Sequence, residues 1–506
     1  MDFANRFDRE LAGVFERREA DWRNGAVVYQ VLVDRFAPSA DLEGKRHLYP
    51  APKRLRTWQE VPTRGEYLPD ARLWSHEIDF WGGDLASTRS HLDHIQGLGA
   101  DVLYLNPIHL AYTNHSYDSL DYAQVAPWFG TRHDVIELAD TLHSRGMKLV
   151  LDGVFNHVGR NSALFRSAEA DPQSPYRDWF EFGDQFPGGV RTWWLAENLP
   201  ELVMENPAVR EYVYAGRDSI VRSFLRDGID GWRLDVAVDT GFRYLEELTD
   251  AAHAEKPGSL VVGEIATHPK EWFPSVDAVM NFALREIVLR LANHEIAPQH
   301  ALRMIDRLVS EADFEHMLKS WLFLENHDTA RLATTVPDAS ARRMAQVLQF
   351  TLPGAPNLYY GGEVGMTGDE DPEMRAPMRW DLVTADNPTL AWTRRLIDLH
   401  RTRRALRVGQ FRTLTTDRLI GYQRYTDRIA DAVFVLANPC AEDVTEWVQL
   451  PDSKLMNPFW MLDLLGDADV RLTNGMIRVT LPADGFLVLA PEIHPVGGYS
   501  SYKRVQ

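Results

Sequence analysis

Four short apolar runs in this chain end on, or run straight into, acidic and cationic side chains. The run 148–152 ends at Asp152 and is followed by Asn156 and His157. The run 231–235 carries Arg233 and ends at Asp235, and 260–264 ends at Glu264. A fourth, 321–325, leads into Asn326, His327 and Asp328. A single aspartate at a strand end is more often a turn residue or a helix N-cap than a reacting group, and Asp152 alone would be read that way. Capping gives no reason for acids, histidines and an arginine to gather at four strand ends. Arg233 and Asp235 are two residues apart, so on a strand they point the same way.

Such a set is suited to breaking a glycosidic bond. One carboxylic acid must protonate the leaving oxygen, while a second carboxylate attacks or stabilises the anomeric carbon. If 231–235 and 260–264 are adjacent strands, Asp235 and Glu264 can face each other at the about 5–5.5 Å that a retaining pair requires. Arg233 is expected to keep Asp235 ionised, and neighbouring acids to raise Glu264 so that it stays protonated. Asp328 adds negative charge near a developing oxocarbenium ion, and His157 and His327 can donate hydrogen bonds to sugar hydroxyls. Acids and histidines at one rim also describe a metal-dependent hydrolase. Against that reading, the sequence has no HxH or HExxH segment, and the adjacent His327 and Asp328 point apart on a strand. No metal ligands are assigned.

Something must bring these residues to one rim. Eight apolar runs recur, at 26–33, 101–106, 148–152, 231–235, 260–264, 278–281, 321–325 and 357–360. Stretches of helical period separate them, notably 85–98, 133–145 (with Gly146 as its C-cap), 208–226 and 241–254. Near-continuous apolar strands alternating with amphipathic helices imply an α/β fold with a parallel sheet covered on its outer face. Eight units imply a (β/α)8 TIM barrel, in which all the strand ends named above open on one face. The expected layout is an N-terminal helical extension at 1–20, a catalytic barrel at 21–155 and 207–405, and a small inserted subdomain at 156–206. A C-terminal antiparallel β-sandwich at 406–492 and a polar tail at 493–506 follow. The insert carries four prolines and the aromatics Trp179, Phe180, Trp193 and Trp194, and a long insert after a barrel strand tends to lie over the functional face.

The bulk numbers exclude several classes. With 506 residues the chain needs more than one core. A formal net charge of −19 argues against nucleic-acid partners. The single Cys440 permits neither an intrachain disulfide nor a thiolate metal cage. No run of about 18 apolar residues occurs, so no membrane span is expected. The charged N-terminal segment lacks the apolar core of a signal peptide, and the expected localisation is cytoplasmic.

Four segments in order, DGVFNHVG at 152–159, GWRLDVAVD at 231–239, GEI at 263–265 and ENHDTAR at 325–331, resemble those of the α-amylase family of glycoside hydrolases. GAPNLYYGGEVGM at 354–366 resembles the family's eighth-strand region, and the resemblance spans roughly 21–491. It implies a retaining hydrolase of α-glucosidic bonds in malto-oligosaccharides, cyclodextrins or related α-glucans. Asp235 would be the nucleophile, Glu264 the general acid/base and Asp328 the transition-state stabiliser. Arg233, His157 and His327 match substrate-contacting positions, and Tyr117 in NHSYDSLDY matches the tyrosine under the sugar being cleaved. Asp152 and Trp194 complete the expected substrate-binding set. WGGDL at 81–85, the segment 106–122 and LPELVMENPAVREY at 199–212 are most similar to cyclomaltodextrinases, neopullulanases and maltogenic amylases. Two departures stand out: the N-terminal β-domain common in that group is not expected here, and Ala266 stands where many relatives carry an aromatic residue. The resemblance implies no cofactor for the chemistry. It leaves a structural calcium open, because Asn156 matches a calcium ligand of many α-amylases. It also leaves open the oligomeric state and a transglycosylase, isomerase or phosphorylase using the same residues. A non-catalytic binding protein is disfavoured because all three carboxylates are present.

Overall fold

A computed structural model describes residues 6–457, 459–494 and 497–505. Eight parallel strands close into a barrel: β1 Val28–Val31, β2 Val102–Leu105, β3 Lys148–Gly153, β4 Gly231–Leu234, β5 Leu260–Ile265, β6 Ala278–Asn281, β7 Trp321–Leu322 and β8 Ala355–Tyr359. Each pairs with its neighbours in sequence, and β1 pairs with β8 to shut the ring. Interior side chains such as Val28, Tyr104, Val150, Val262, Met280 and Trp321 are almost fully buried, so the barrel is packed rather than hollow.

The register sets the level of the rim. Arg233 on β4 lies opposite Asp152 on β3 and Val262 on β5, and Leu234 lies opposite Gly263. Asp235 and Glu264 each follow that last pair by one residue, so they leave the barrel at one height on adjacent strands.

The α/β barrel with an antiparallel C-terminal sheet domain is as expected, but several elements differ in detail. The helical stretch 85–98 is two helices, Leu85–Ser90 and Leu92–Leu98, broken at His91 (φ −105°, ψ 12°). Its imidazole Nδ1 takes up the Ser87 carbonyl at 2.8 Å. The stretch 208–226 is three pieces: Pro207–Arg210, a π-turn at Glu211–Ala215, and Ile220–Arg226. The break falls at Gly216, whose N–H donates to the Glu211 carbonyl at 3.0 Å. A Cβ there would stand 2.5 Å from the same oxygen.

One excursion carried no motif in the sequence. Residues between β1 and β2 form a ladder of Arg54–Leu55 with Asp79–Phe80 and a hairpin of Tyr67–Leu68 with Leu73–Trp74. Lys53 pins it, its Nζ standing 3.7 Å from the Trp128 ring centre. The segment after β3 folds around helix Ala163–Ala170 and isolated bridges, among them His157 with Glu201 and Thr192 with Pro200.

Of the expected N-terminal extension, helix Arg6–Ala20 is described and residues 1–5 lie outside the described residues. Arg18 fastens that helix with an ion pair to Glu315 (2.7 Å) and a bond to the Val408 carbonyl (2.9 Å). Beyond the barrel, β9 Gln410–Thr413, β10 Ile420–Tyr425, β11 Val433–Ala437, β12 Val444–Gln449, β13 Phe459–Asp463, β14 Val470–Leu472, β15 Met476–Leu481 and β16 Phe486–Pro491 make an antiparallel pair of sheets. Alternate residues such as Phe434, Leu436, Val448, Ile477 and Leu489 fill their core. The segment expected as a polar tail is not all polar surface, because Tyr502 is buried in this core against Phe459. Residues 495, 496 and 506 of that tail lie outside the described residues.

Candidate active site

A cleft of about 690 Å³ opens on the face where the strands end. Asp235, Glu264, Asp328, Tyr117 and His157 line it, together with Trp193 and Arg375. Beneath it lies Arg233, fully buried. Its Nη1 donates to Asp152 Oδ1 at 2.9 Å and to Asp235 Oδ1 at 3.0 Å, and its Nη2 stands 3.0 Å from Glu264 Oε2. One planar guanidinium therefore spans both carboxylates of the pair, which fixes them as close neighbours.

The backbone contributes to the same grip. Val236 sits in the left-handed region (φ 46°, ψ 44°), where a β-branched residue is strained. That turn aims its N–H at Glu264 Oε2, 3.0 Å away. The strain is what turns the chain after Asp235 and directs a backbone donor to the second carboxylate.

A hydrogen-bond chain orients the other side. Gln30 Nε2 donates to Asn106 Oδ1 at 3.1 Å and to His327 Nδ1 at 2.9 Å, which leaves the imidazole proton on Nε2. That Nε2 faces Asp328 Oδ2 at 2.9 Å and the Tyr117 hydroxyl. Tyr117 in turn accepts from Asn106 Nδ2 at 3.0 Å and donates to Asp152 Oδ2 at 2.9 Å. Tyr104 donates to the same Asp152 oxygen at 2.6 Å. Burial and then the Asp152 charge push the Tyr117 phenol well above its usual range, so it remains a donor.

Two aspartates of the cleft, Asp235 and Asp328, are pushed apart. Burial, reinforced by Glu264, Asp152 and Asp328, holds the Asp235 carboxyl well above the ordinary range although Arg233 pulls it down. The expectation that Arg233 simply keeps Asp235 ionised is thus corrected: its charge is divided among three carboxylates. The raised value belongs to the coupled set rather than to Asp235 alone. Burial also works against ionised Asp328, but His327 and Arg375 outweigh it and hold that carboxyl below the usual range. His157, whose pKa burial lowers to about 4, is neutral at ordinary pH.

Not every expected site residue lies in the lining. Asp152, Arg233 and His327 are at most 1 % exposed and form the layer under the floor. They hold the groups above them through the hydrogen bonds and ion pairs just described. Trp194 is 82 % exposed and lines a separate crevice with Phe186 and Leu195. Trp193 takes the place in the cleft, its ring stacked on His157 at 5.8 Å. The reason is local: Trp194 is left-handed (φ 49°) in the turn closed by Ala196 N–H to the Trp193 carbonyl at 3.0 Å, which sends the two rings different ways.

Other lining residues carried less signal. Arg375 lies in DEDPEMRAPMR (369–379), where a solvated loop and a site loop read alike from sequence. Its Nη2 is 3.1 Å from Asp328 Oδ1 and its Nη1 3.0 Å from Asp371, which also bonds His76 Nε2 at 2.9 Å. His76 and the lining residue Glu77 come from the excursion after β1, which only the fold brings to the cleft.

The position matched to a calcium ligand, Asn156, is 4 % exposed, and its amide bonds to Glu201. The residues around it do not fit the ion. Calcium takes six to eight oxygens, whereas the guanidinium of Arg191 already stands 2.7 Å from Glu201. Among the described residues no group of three or more His, Cys, Asp or Glu side chains is arranged to hold a metal.

A closed parallel barrel with carboxylates at the ends of β4, β5 and β7 belongs to the barrel glycoside hydrolases. Residues 30–393 match the model of the alpha-amylase catalytic domain. The chain is 32 % identical to neopullulanase 2 of Thermoactinomyces vulgaris over 511 residues, 95 % of this chain and 82 % of that protein. It is 33 % identical to a cyclomaltodextrinase of Bacillus sp over 432 residues, 82 % of this chain and 73 % of the relative. The cyclic α-maltosyl-(1→6)-maltose hydrolase of Arthrobacter globiformis superposes with a TM-score of 0.78 at 29 % identity, covering 93 % of this chain and all of that one. The chain belongs to the α-amylase family. It is a retaining glycoside hydrolase of α-glucosidic bonds.

Proposed function

We propose that Asp235 is the nucleophile, Glu264 the general acid/base and Asp328 the stabiliser of the oxocarbenium-like transition state. The observation that carries this is the single guanidinium of Arg233 spanning Asp235 and Glu264. The Asp235 carboxylate attacks the anomeric carbon while Glu264 gives its proton to the leaving oxygen, forming a glycosyl ester on Asp235. Glu264, now ionised, takes a proton from water as that oxygen attacks the same carbon, and the ester bond breaks. Asp328, kept ionised by His327 and Arg375, faces the positive charge that develops in both steps. Tyr117 is placed to stack under the reacting ring and His157 to bond a hydroxyl.

The substrates are malto-oligosaccharides and cyclodextrins, as the names of the relatives support. Action inside the cell is supported by the intracellular maltogenic amylase of Bacillus subtilis, 31 % identical over 76 % of this chain. No described helix is long and apolar enough to cross a membrane. Transfer to a sugar acceptor is the second reading, favoured by the exposure of Ala266, Thr267 and His268 just after Glu264. A product panel from maltotriose, cyclodextrin, sucrose and trehalose separates the two. Hydrolysis gives shorter sugars whose first-released form is the α-anomer, whereas longer oligomers or disaccharide isomers make transfer the main reaction. Release of the β-anomer contradicts the double-displacement assignment.

A further inference from the structure

The segment inserted after β3 is held against the barrel at a crevice of about 190 Å³ whose lining includes Asn156, Arg191, Glu201 and Asp239. Asn156 follows β3 and Asp239 lies in the short helix Ala237–Thr240 after β4, whereas Arg191 and Glu201 come from the insert. Arg191 is laced in by backbone as well as side chain. Its N–H donates to the Glu181 carbonyl at 2.9 Å, and its own carbonyl accepts from Glu201 N–H at 3.1 Å. The guanidinium donates to Glu181 Oε2 at 2.8 Å and stands 2.7 Å from Glu201 Oε2. Glu201 also bonds the Asn156 amide, and the Arg191 charge pulls on Asp239.

We infer that Arg191 takes, in this chain, the place of a bridging divalent cation between the insert and the barrel, so the wall of the cleft is set without calcium at Asn156. Glu201 from the insert and Asn156 and Asp239 from the barrel side line one crevice, so oxygen-bearing side chains of both layers face the space that Arg191 enters. The guanidinium neutralises these anions, with a directed donor to Glu181 and an ion pair to Glu201, and repels a second cation. The strut reaches the cleft: Asp239 accepts a side-chain hydrogen bond from Trp193, whose ring lines the cleft and stacks on His157.

The test is calcium stoichiometry by equilibrium dialysis, with Tm in calcium and in chelator, on wild type and Arg191→Ala. Removing the guanidinium leaves the oxygen donors facing a space. The variant is expected to bind one more calcium than wild type, and calcium is expected to raise its Tm by at least about 3 °C more than that of wild type. Equal calcium binding by the two proteins overturns the inference. If Arg191→Ala does not fold, Arg191→Gln and Arg191→Lys carry the same comparison. The glutamine variant gains the ion and the lysine variant, which keeps the charge, does not; gain by both or by neither overturns the inference.

Discussion

Arg233 makes Asp235 and Glu264 a pair, and it does so from beneath the substrate rather than beside it. Its two-residue spacing from Asp235 was legible in the sequence; its sharing among three carboxylates was not, because that depends on the register of β3, β4 and β5. The consequence is a test by pH. A carboxyl whose native pKa lies above its unfolded value destabilises the fold wherever the unfolded chain is ionised and the native site resists ionisation. Burial and neighbouring acids put the coupled set that includes Asp235 in that class: it keeps a proton that the unfolded carboxyls have lost, and Asp235→Asn removes one carboxyl from it. Asp235→Asn is therefore expected to raise Tm relative to wild type. The difference should be absent below the ordinary aspartate range, grow as pH rises through it, and level off above the native pKa. Thermal melts of both proteins across pH check this, and a difference independent of pH contradicts it. At the same scale, Gln30 fixes the tautomer of His327 and leaves its Nε2 proton facing Asp328. Gln30→Leu should lower kcat by roughly 10–100-fold with a smaller change in KM, since the substrate does not touch residue 30.

The elements that carry the site were readable wherever one period governed a run. The eight barrel strands stand out because each is buried on both faces and bounded by helices. Legibility failed where the chain leaves regular structure. The segment between β1 and β2 has no periodic pattern, so nothing announced that His76 and Glu77 would reach the cleft. The choice between Trp193 and Trp194 depended on one left-handed residue. Helix 208–226 broke at Gly216 because a π-turn precedes it, a conformation that apolar spacing does not encode. A strand glycine matters more directly. A Cβ on Gly231 would stand 2.2 Å from the Leu260 carbonyl, so β4 and β5 approach only because residue 231 has no side chain. Gly231→Ala is expected to cost about 1–3 kcal/mol of stability by forcing the two strands apart. Urea unfolding measures that loss. Activity should fall further than the loss of folded protein explains, because the same strands carry Asp235 and Glu264. Activity unchanged per folded molecule contradicts this view of the strand pair.

Over the whole molecule, the sandwich is built into the barrel rather than hung from it. Tyr422, Val433, Val435 and Val488 belong to the same buried cluster as the barrel helices. Arg424, fully buried, donates to the Thr351 carbonyl at 2.9 Å and the Gly409 carbonyl at 3.0 Å, and the Tyr422 hydroxyl meets Thr351 Oγ1 at 2.5 Å. Calorimetry is therefore expected to give one unfolding transition for both domains, with Tyr422→Ala losing about 3–5 kcal/mol. Two separated transitions in wild type contradict that coupling. The family segments had announced a barrel with a terminal β-domain, but not this shared core, which depends on which strand faces meet. All of it serves to hold one carboxylate ready to attack. The most direct measurement is mass spectrometry of Glu264→Gln after reaction with an α-glucosyl fluoride, whose leaving group needs no acid while the slowed second step lets the ester accumulate. A glucosyl ester on the peptide containing Asp235 is the expected result; an ester on any other carboxylate, Asp328 included, contradicts the assignment.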